Sequence, residues 1–147
     1  MLDDRRVVKM TTETAQMVSD AIRVRGGEPF YGKCNPNHPC TKWVGRTITN
    51  FRWALSLLEA LNAEYQVRYP GKTNHLAFQK GWNTGWSQAN IFPEGTLTPF
   101  QNSSLFKDET DVFTAYKKTM IHKWANFKRE PRWTNAERPS WSIGNEK

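Results

Sequence analysis

Residues 4–24 read DRRVVKMTTETAQMVSDAIRV, and the fold class follows from how their apolar side chains repeat. Val7, Met10, Thr14, Met17, Ala21 and Val24 recur at intervals of three and four, and Val8, Ala15, Val18 and Ile22 widen the stripe. That is the period of a helix that buries one face. Lys9, Glu13, Gln16, Asp20 and Arg23 form a continuous polar stripe on the other side. Asp3 and Asp4 suit the N-terminal end, where aligned peptide dipoles favour negative charge. Gly26-Gly27 ends the helix. Beyond it, residues 26–40 (GGEPFYGKCNPNHPC) carry three prolines and three glycines, which predicts a loop.

A second helix is predicted from about Thr41 to Tyr69, with Val44, Ile48, Phe51, Leu55, Leu58 and Tyr65 on its buried side and Pro70-Gly71 as its stop. It would span on the order of 40 Å and serve as the spine. Residues 71–108 are less regular, although Trp82 and Trp86 sit four apart and permit one helical turn. A third helix is predicted from roughly Glu109 to Arg129, with Phe113, Tyr116, Met120, Trp124 and Phe127 as its apolar stripe. Pro131 stops it, and 130–147 reads as an extended tail. No segment sustains period-two alternation. The expected fold is all-α: one compact domain over 1–147, built of about three main helices and long loops.

Of the 147 residues, 37% are apolar and 13% aromatic, with seven Trp, so rings share the core with aliphatic chains. No apolar run approaches the ~18 residues of a membrane span. The opening Met1-Leu2-Asp3-Asp4-Arg5-Arg6 is too charged for a signal peptide. Two cysteines make no disulfide framework. A soluble protein in a reducing, cytoplasmic compartment is expected (the host's, if the chain is viral). The 21 Lys and Arg against 14 Asp and Glu leave +7. Such a domain attracts polyanions, nucleic acid first among them, although a basic solvated face has the same arithmetic. The chain holds no Gly-x-x-x-x-Gly-Lys-Ser/Thr, Gly-x-Gly-x-x-Gly or Gly-x-Ser-x-Gly pattern, so kinase and hydrolase-triad chemistry have no support.

Three constellations could carry chemistry. Glu13 lies one turn after Lys9, with Gln16 and Arg6 near the same face. It is either half of an ordinary surface ion pair or a carboxylate set among cations beside an anionic ligand. Cys34, His38 and Cys40 fall within seven residues, but the spacing lacks the paired ligands of structural zinc. Here a structural loop is expected and no metal or cofactor, with His38 pointing inward or at a ligand. The third constellation is basic. Lys42, Arg46, Arg52, Arg68 and Lys72 attend the second helix, and Lys117, Lys118, Lys123, Lys128, Arg129 and Arg132 the third, with Trp124 and Trp133 interleaved. Cations beside rings suit phosphate contact and base stacking. Side chains snorkelling over an aromatic core give the same pattern.

The run from Asp4 to Met17, followed by Asn37-His38-Pro39-Cys40, Trp43, Asn50, Trp53, Glu64-Tyr65, Arg68-Tyr69, Lys72 and His75, resembles a family of small phage proteins. The match continues more thinly at Thr98-Pro99 and Ala115-Tyr116. The organisation is similar to that of the phage pyrimidine-dimer DNA glycosylases of the endonuclease V type. That resemblance implies a compact all-α DNA-repair enzyme that binds damaged double-stranded DNA, moves a base out of the stack and excises it through a Schiff base. Glu13 would be its proton-transferring carboxylate. The implied DNA-facing residues are Arg5, Arg6, Lys9, Gln16 and His38 around the first helix, Lys42, Arg46, Arg52, Arg68 and Lys72 around the second, and Lys117 and Lys128 around the third.

Two departures shape the expectation. Arg6 stands where the family carries His, keeping the charge and losing the titration. The chain opens almost on its first helix, which puts an amine at Met1 about 18 Å from Glu13 along the axis. No lyase activity through the α-amine is therefore expected. The alternative is a non-catalytic phage protein that binds nucleic acid or a nucleotide signal, countering host defence.

Overall fold

The computed structural model describes residues 1–142. Helix α1 spans Asp4–Val24, α2 Pro39–Val44, α3 Ile48–Arg68, α4 Leu76–Ser87 and α5 Val112–Ala125, with single 3-10 turns at Ala89–Ile91 and Ser140–Ser142. No strand occurs among the described residues, and no helix there is long and apolar enough to cross a membrane. The all-α class is the one the periodicity predicts, and α1 keeps its expected bounds.

The predicted long second helix is two helices. Gly45 closes α2, and the Thr47 hydroxyl accepts the Asn50 N–H at 3.0 Å to start α3. Val44 and Ile48 are both buried across the break, so the apolar rhythm runs through it unchanged. Helix α5 starts later than expected because the Asp111 carboxylate caps it, accepting from Phe113 N and the Thr114 hydroxyl, and it ends at Ala125, short of the expected Arg129. Helix α4 is twelve residues long where the sequence predicts one turn. Its Gly81 and Gly85 mark close approach: a Cβ would lie 2.6 Å from the Phe30 ring and 2.5 Å from Leu55.

Helices α1 and α3 pack antiparallel. Arg68 at the end of α3 meets Asp4 at the start of α1, while Arg25, just past α1, donates to the Gly45 carbonyl ahead of α3. Val18, Ile22, Phe51 and Leu55 are fully enclosed between them, each contributing about 1.5–3 kcal/mol by burial. The Phe92 ring stacks on Phe51 at 4.0 Å. A smaller cluster of Ala15, Leu58 and Ala77 lies under Phe30, Tyr31 and Phe78.

Irregular segments are fastened by buried polar side chains. Ser19 accepts from Phe30 N and Tyr31 N, and the Asp20 carboxylate from Cys34 N and Asn35 N, which straps the 26–38 loop to α1. The Asn50 amide donates to the Trp43 carbonyl and Thr98 hydroxyl and accepts from Thr98 N, holding the 96–100 segment. The tail returns under the start of α1, where Asp4 accepts from Thr134. Asp3 accepts the Trp124 indole N–H at 2.8 Å. The two acids expected to serve the helix dipole thus also fasten α1 to α5 and to the tail. Residues 143–147 of the expected tail lie outside the described residues.

Candidate nucleic-acid interface

One face of α1 is left uncovered by the core and by the strapped loop, and it forms a wall of a groove. Arg6, Lys9, Glu13 and Gln16, spaced at three and four, look across that groove. The opposite wall is α5, through Tyr116, Thr119, Met120 and Lys123. Asn35, His38 and Cys40 close one side, and Ser103, Ser104 and Leu105 another. The hollow has a volume of about 570 Å³.

Three cations and two carboxylates line it; Asp20 is enclosed and taken up by the Cys34 and Asn35 N–H groups, which leaves Glu13 as the carboxylate open to an occupant. Lys9 Nζ stands 3.7 Å from Glu13 Oε1 across one helical turn. The Glu13 side chain is 43% exposed, so it is reachable from the groove and solvated enough that the pair adds little to stability. Arg6 lies over the Phe127 ring, 5.3 Å from its centroid, which fixes the guanidinium at the groove's edge. Burial holds the Lys123 ammonium below the ordinary lysine pKa; the charges of Arg6 and Lys9 push it the same way, and Glu13 pulls it back up. Four groups from two helices therefore share one field, with positive charge in excess.

His38 caps α2 by accepting the Cys40 N–H on Nδ1 at 3.0 Å. An acceptor at Nδ1 places the neutral ring's proton on Nε2, where it is a donor on a groove-lining residue. Cys34 and Cys40 are free thiols. Cys40 Sγ lies 3.4 Å from Ser103 Oγ. Among the described residues, no group of three or more His, Cys, Asp or Glu side chains comes close enough to hold a metal ion.

The groove collects only part of the expected DNA-facing set. Arg6, Lys9, Glu13, Gln16 and His38 line it. Arg5, Lys42, Arg46, Arg52, Lys72 and Lys128 lie outside it, and Lys117 packs over the Trp141 ring at 5.9 Å. Arg68 is a correction. Its guanidinium is wholly enclosed, donating to the Leu2 carbonyl and paired with Asp4 and Glu64 at 3.2 and 3.1 Å. It is committed to the fold and unavailable to a ligand. Trp124 is likewise buried, packed against Trp133 and Trp141, and offers no face to a base. Lys123 belongs to the basic run but not to the DNA-facing set that the resemblance implies. Its spacing of four from Thr119 and seven from Tyr116 puts the three on one helical face, which is the signal that could have singled it out.

Tyr116 divides the groove from a second hollow. Its hydroxyl accepts from Ser103 N at 3.0 Å and donates to the Gln101 carbonyl at 3.2 Å, fixing the 101–103 segment against α5. Burial raises its pKa. On the far side lies an apolar cleft of about 220 Å³, walled by Trp53, Phe100, Phe113 and Tyr116. Thr14 and Met17 of α1 also line it.

Comparison with known proteins finds no matching family model, no matching curated protein and no matching solved structure.

Proposed function

We propose that the chain is a DNA-binding protein of the glycosylase and abasic-site lyase class, with the α1–α5 groove holding the sugar-phosphate of a displaced nucleotide. The observation that carries this reading is the gathering of Arg6, Lys9 and Lys123 around Glu13 in one concave hollow. Cations in a groove attract phosphate, and the exposed Glu13 carboxylate among them is placed to move protons. Lys123 supplies the amine. Its depressed pKa raises the neutral, nucleophilic fraction. The Nζ lone pair attacks C1′ of the deoxyribose, the bond from C1′ to the base breaks, and the amine gives up a proton that leaves with the base. Ring opening, with O4′ taking a proton from solvent as it leaves C1′, yields the protonated imine. Glu13 then takes the C2′ proton, the C3′–O bond breaks with phosphate as leaving group, and water hydrolyses the imine to restore the amine.

The test is borohydride reduction in the presence of DNA carrying one abasic site, followed by peptide mapping. A reduced adduct on Lys123, lost in Lys123→Met and retained in Glu13→Gln while strand cleavage by that variant is strongly diminished, is the expected result. DNA binding without any adduct would overturn the chemistry and leave the interface.

A second reading, binding without catalysis, draws on a separate observation. Glu13 already has a cationic partner in Lys9, and Arg6 adds a second cation to the same hollow. Under that reading a nucleic acid or a free nucleotide signal occupies the same hollow and leaves unchanged.

A further inference from the structure

We propose that the apolar cleft beside Tyr116 is a nucleobase subsite, with the Thr14 hydroxyl as a polar contact. The inference rests on the phosphate-binding reading of the neighbouring groove and names what would occupy the adjoining space.

Four observations carry it. The cleft adjoins the charged groove, since Met17, Cys40 and Tyr116 line both. A nucleotide whose phosphate meets Lys9 and Lys123 would therefore have its base beside this opening. The walls are rings with free faces: Phe113 is 60% and Trp53 37% exposed, and Phe100 lies between them at 5.7 and 4.8 Å. Exposed aromatic faces next to a phosphate site are the platform on which single bases stack. The volume, about 220 Å³, falls below the roughly 300–1,000 Å³ of pockets for drug-sized ligands, and so suits one planar ring system.

The fourth observation is Thr14. It is 1% exposed and lines the cleft, yet its Oγ1 has no hydrogen-bond partner. A helical threonine ordinarily turns its hydroxyl back to the carbonyl four residues earlier, as Thr11 does to Val7 and Thr119 to Ala115. Thr14 does not, and an enclosed hydroxyl without a partner is unfavourable. A base edge, rich in donors and acceptors, would satisfy it; an apolar side chain would not.

The experiment compares two probes on the full chain: thymidine 5′-monophosphate and its base-free counterpart, 2-deoxyribose 5-phosphate. Wild type is expected to bind the base-bearing probe at least tenfold more tightly. Phe113→Ala, at an exposed ring, should remove most of that preference without changing affinity for the base-free probe. Thr14→Val, isosteric and lacking the hydroxyl, should weaken it severalfold; circular dichroism would verify that both variants fold. Equal affinity of wild type for the two probes would overturn the subsite while leaving the groove reading intact, and so would a preference that survives Phe113→Ala. Binding of neither probe would overturn the groove reading and the subsite with it. A concentration-dependent dimer in wild type, abolished by Phe113→Ala, would also overturn the subsite by assigning the cleft to a second copy of the chain.

Discussion

The enclosed guanidinium of Arg68 and the open ammonium of Lys123 contribute equally to the excess of positive charge, and composition cannot separate them. Arg68 is held by Asp4, Glu64 and the Leu2 carbonyl, and its loss would strand a buried carboxylate. Arg68→Ala should lower stability by about 3–5 kcal/mol, read as a fall in denaturation midpoint at unchanged m-value. Glu13→Gln removes one half of an exposed pair and should change stability by less than about 1 kcal/mol, while sharply reducing strand cleavage at an abasic site and leaving borohydride trapping in place. That contrast separates a residue of the fold from a residue of the site. In sequence both are charged side chains on helices, and only the tertiary partners distinguish them. Asn50 teaches the same lesson. Its three hydrogen bonds to Trp43 and Thr98 link segments far apart along the chain, so no local pattern announces them.

At the scale of elements, legibility depends on whether a helix owes its existence to its own period or to a neighbour. Helix α1 carries a full amphipathic stripe and is readable to its ends. The break between α2 and α3 depends on one threonine hydroxyl, inside an apolar rhythm that continues past it. Helix α4 contains two glycines, which weaken a helix by about 1 kcal/mol each in isolation; it persists because those positions let Leu55 and Phe30 approach. Gly85→Ala therefore reverses the usual propensity argument. The methyl would meet Leu55 at 2.5 Å, and the change should destabilise by about 1–3 kcal/mol, measurable by thermal denaturation.

The same helix begins at His75, whose Nδ1 accepts the Ala77 N–H at 3.0 Å. Burial lowers the His75 pKa below its ordinary value of 6.5, against a smaller opposing hydrogen bond to Val8. The folded pKa is thus below the unfolded one. The contribution of the neutral cap is complete above about pH 6.5 and declines as the pH falls through that value, because the unfolded chain takes up a proton that the folded chain resists. Melting temperature should drop on acidification through this window. His75→Asn, which also caps helices and does not titrate, should flatten that part of the profile.

Across the whole molecule, the net charge of +7 indicates the class of partner to look for but not the place. Most of the cations singled out by count lie outside the groove, whereas the polar stripe of α1 points to it directly. The α5 wall is hidden from the sequence because its position relative to α1 is set by buried tail contacts through Asp3, Asp4 and Trp124. If three groove cations each neutralise a phosphate, log affinity for duplex DNA should fall against log salt with a slope of about −2.7. Lys9→Met should make that slope shallower by about one. Lys72→Met, outside the groove, should leave it unchanged. Binding isotherms at several salt concentrations would decide this.

Glu13 and Thr14 are adjacent residues on α1, one turned to the charged hollow and the other to the aromatic cleft. Successive side chains on a helix are separated by about 100°, so this single step of the backbone is the septum between two chambers. An occupant reaching into both would grip the helix around its girth, as a saddle grips a ridge. Amide hydrogens over residues 10–17 should then exchange with deuterium more slowly when the ligand is bound, with those of α4 unaffected.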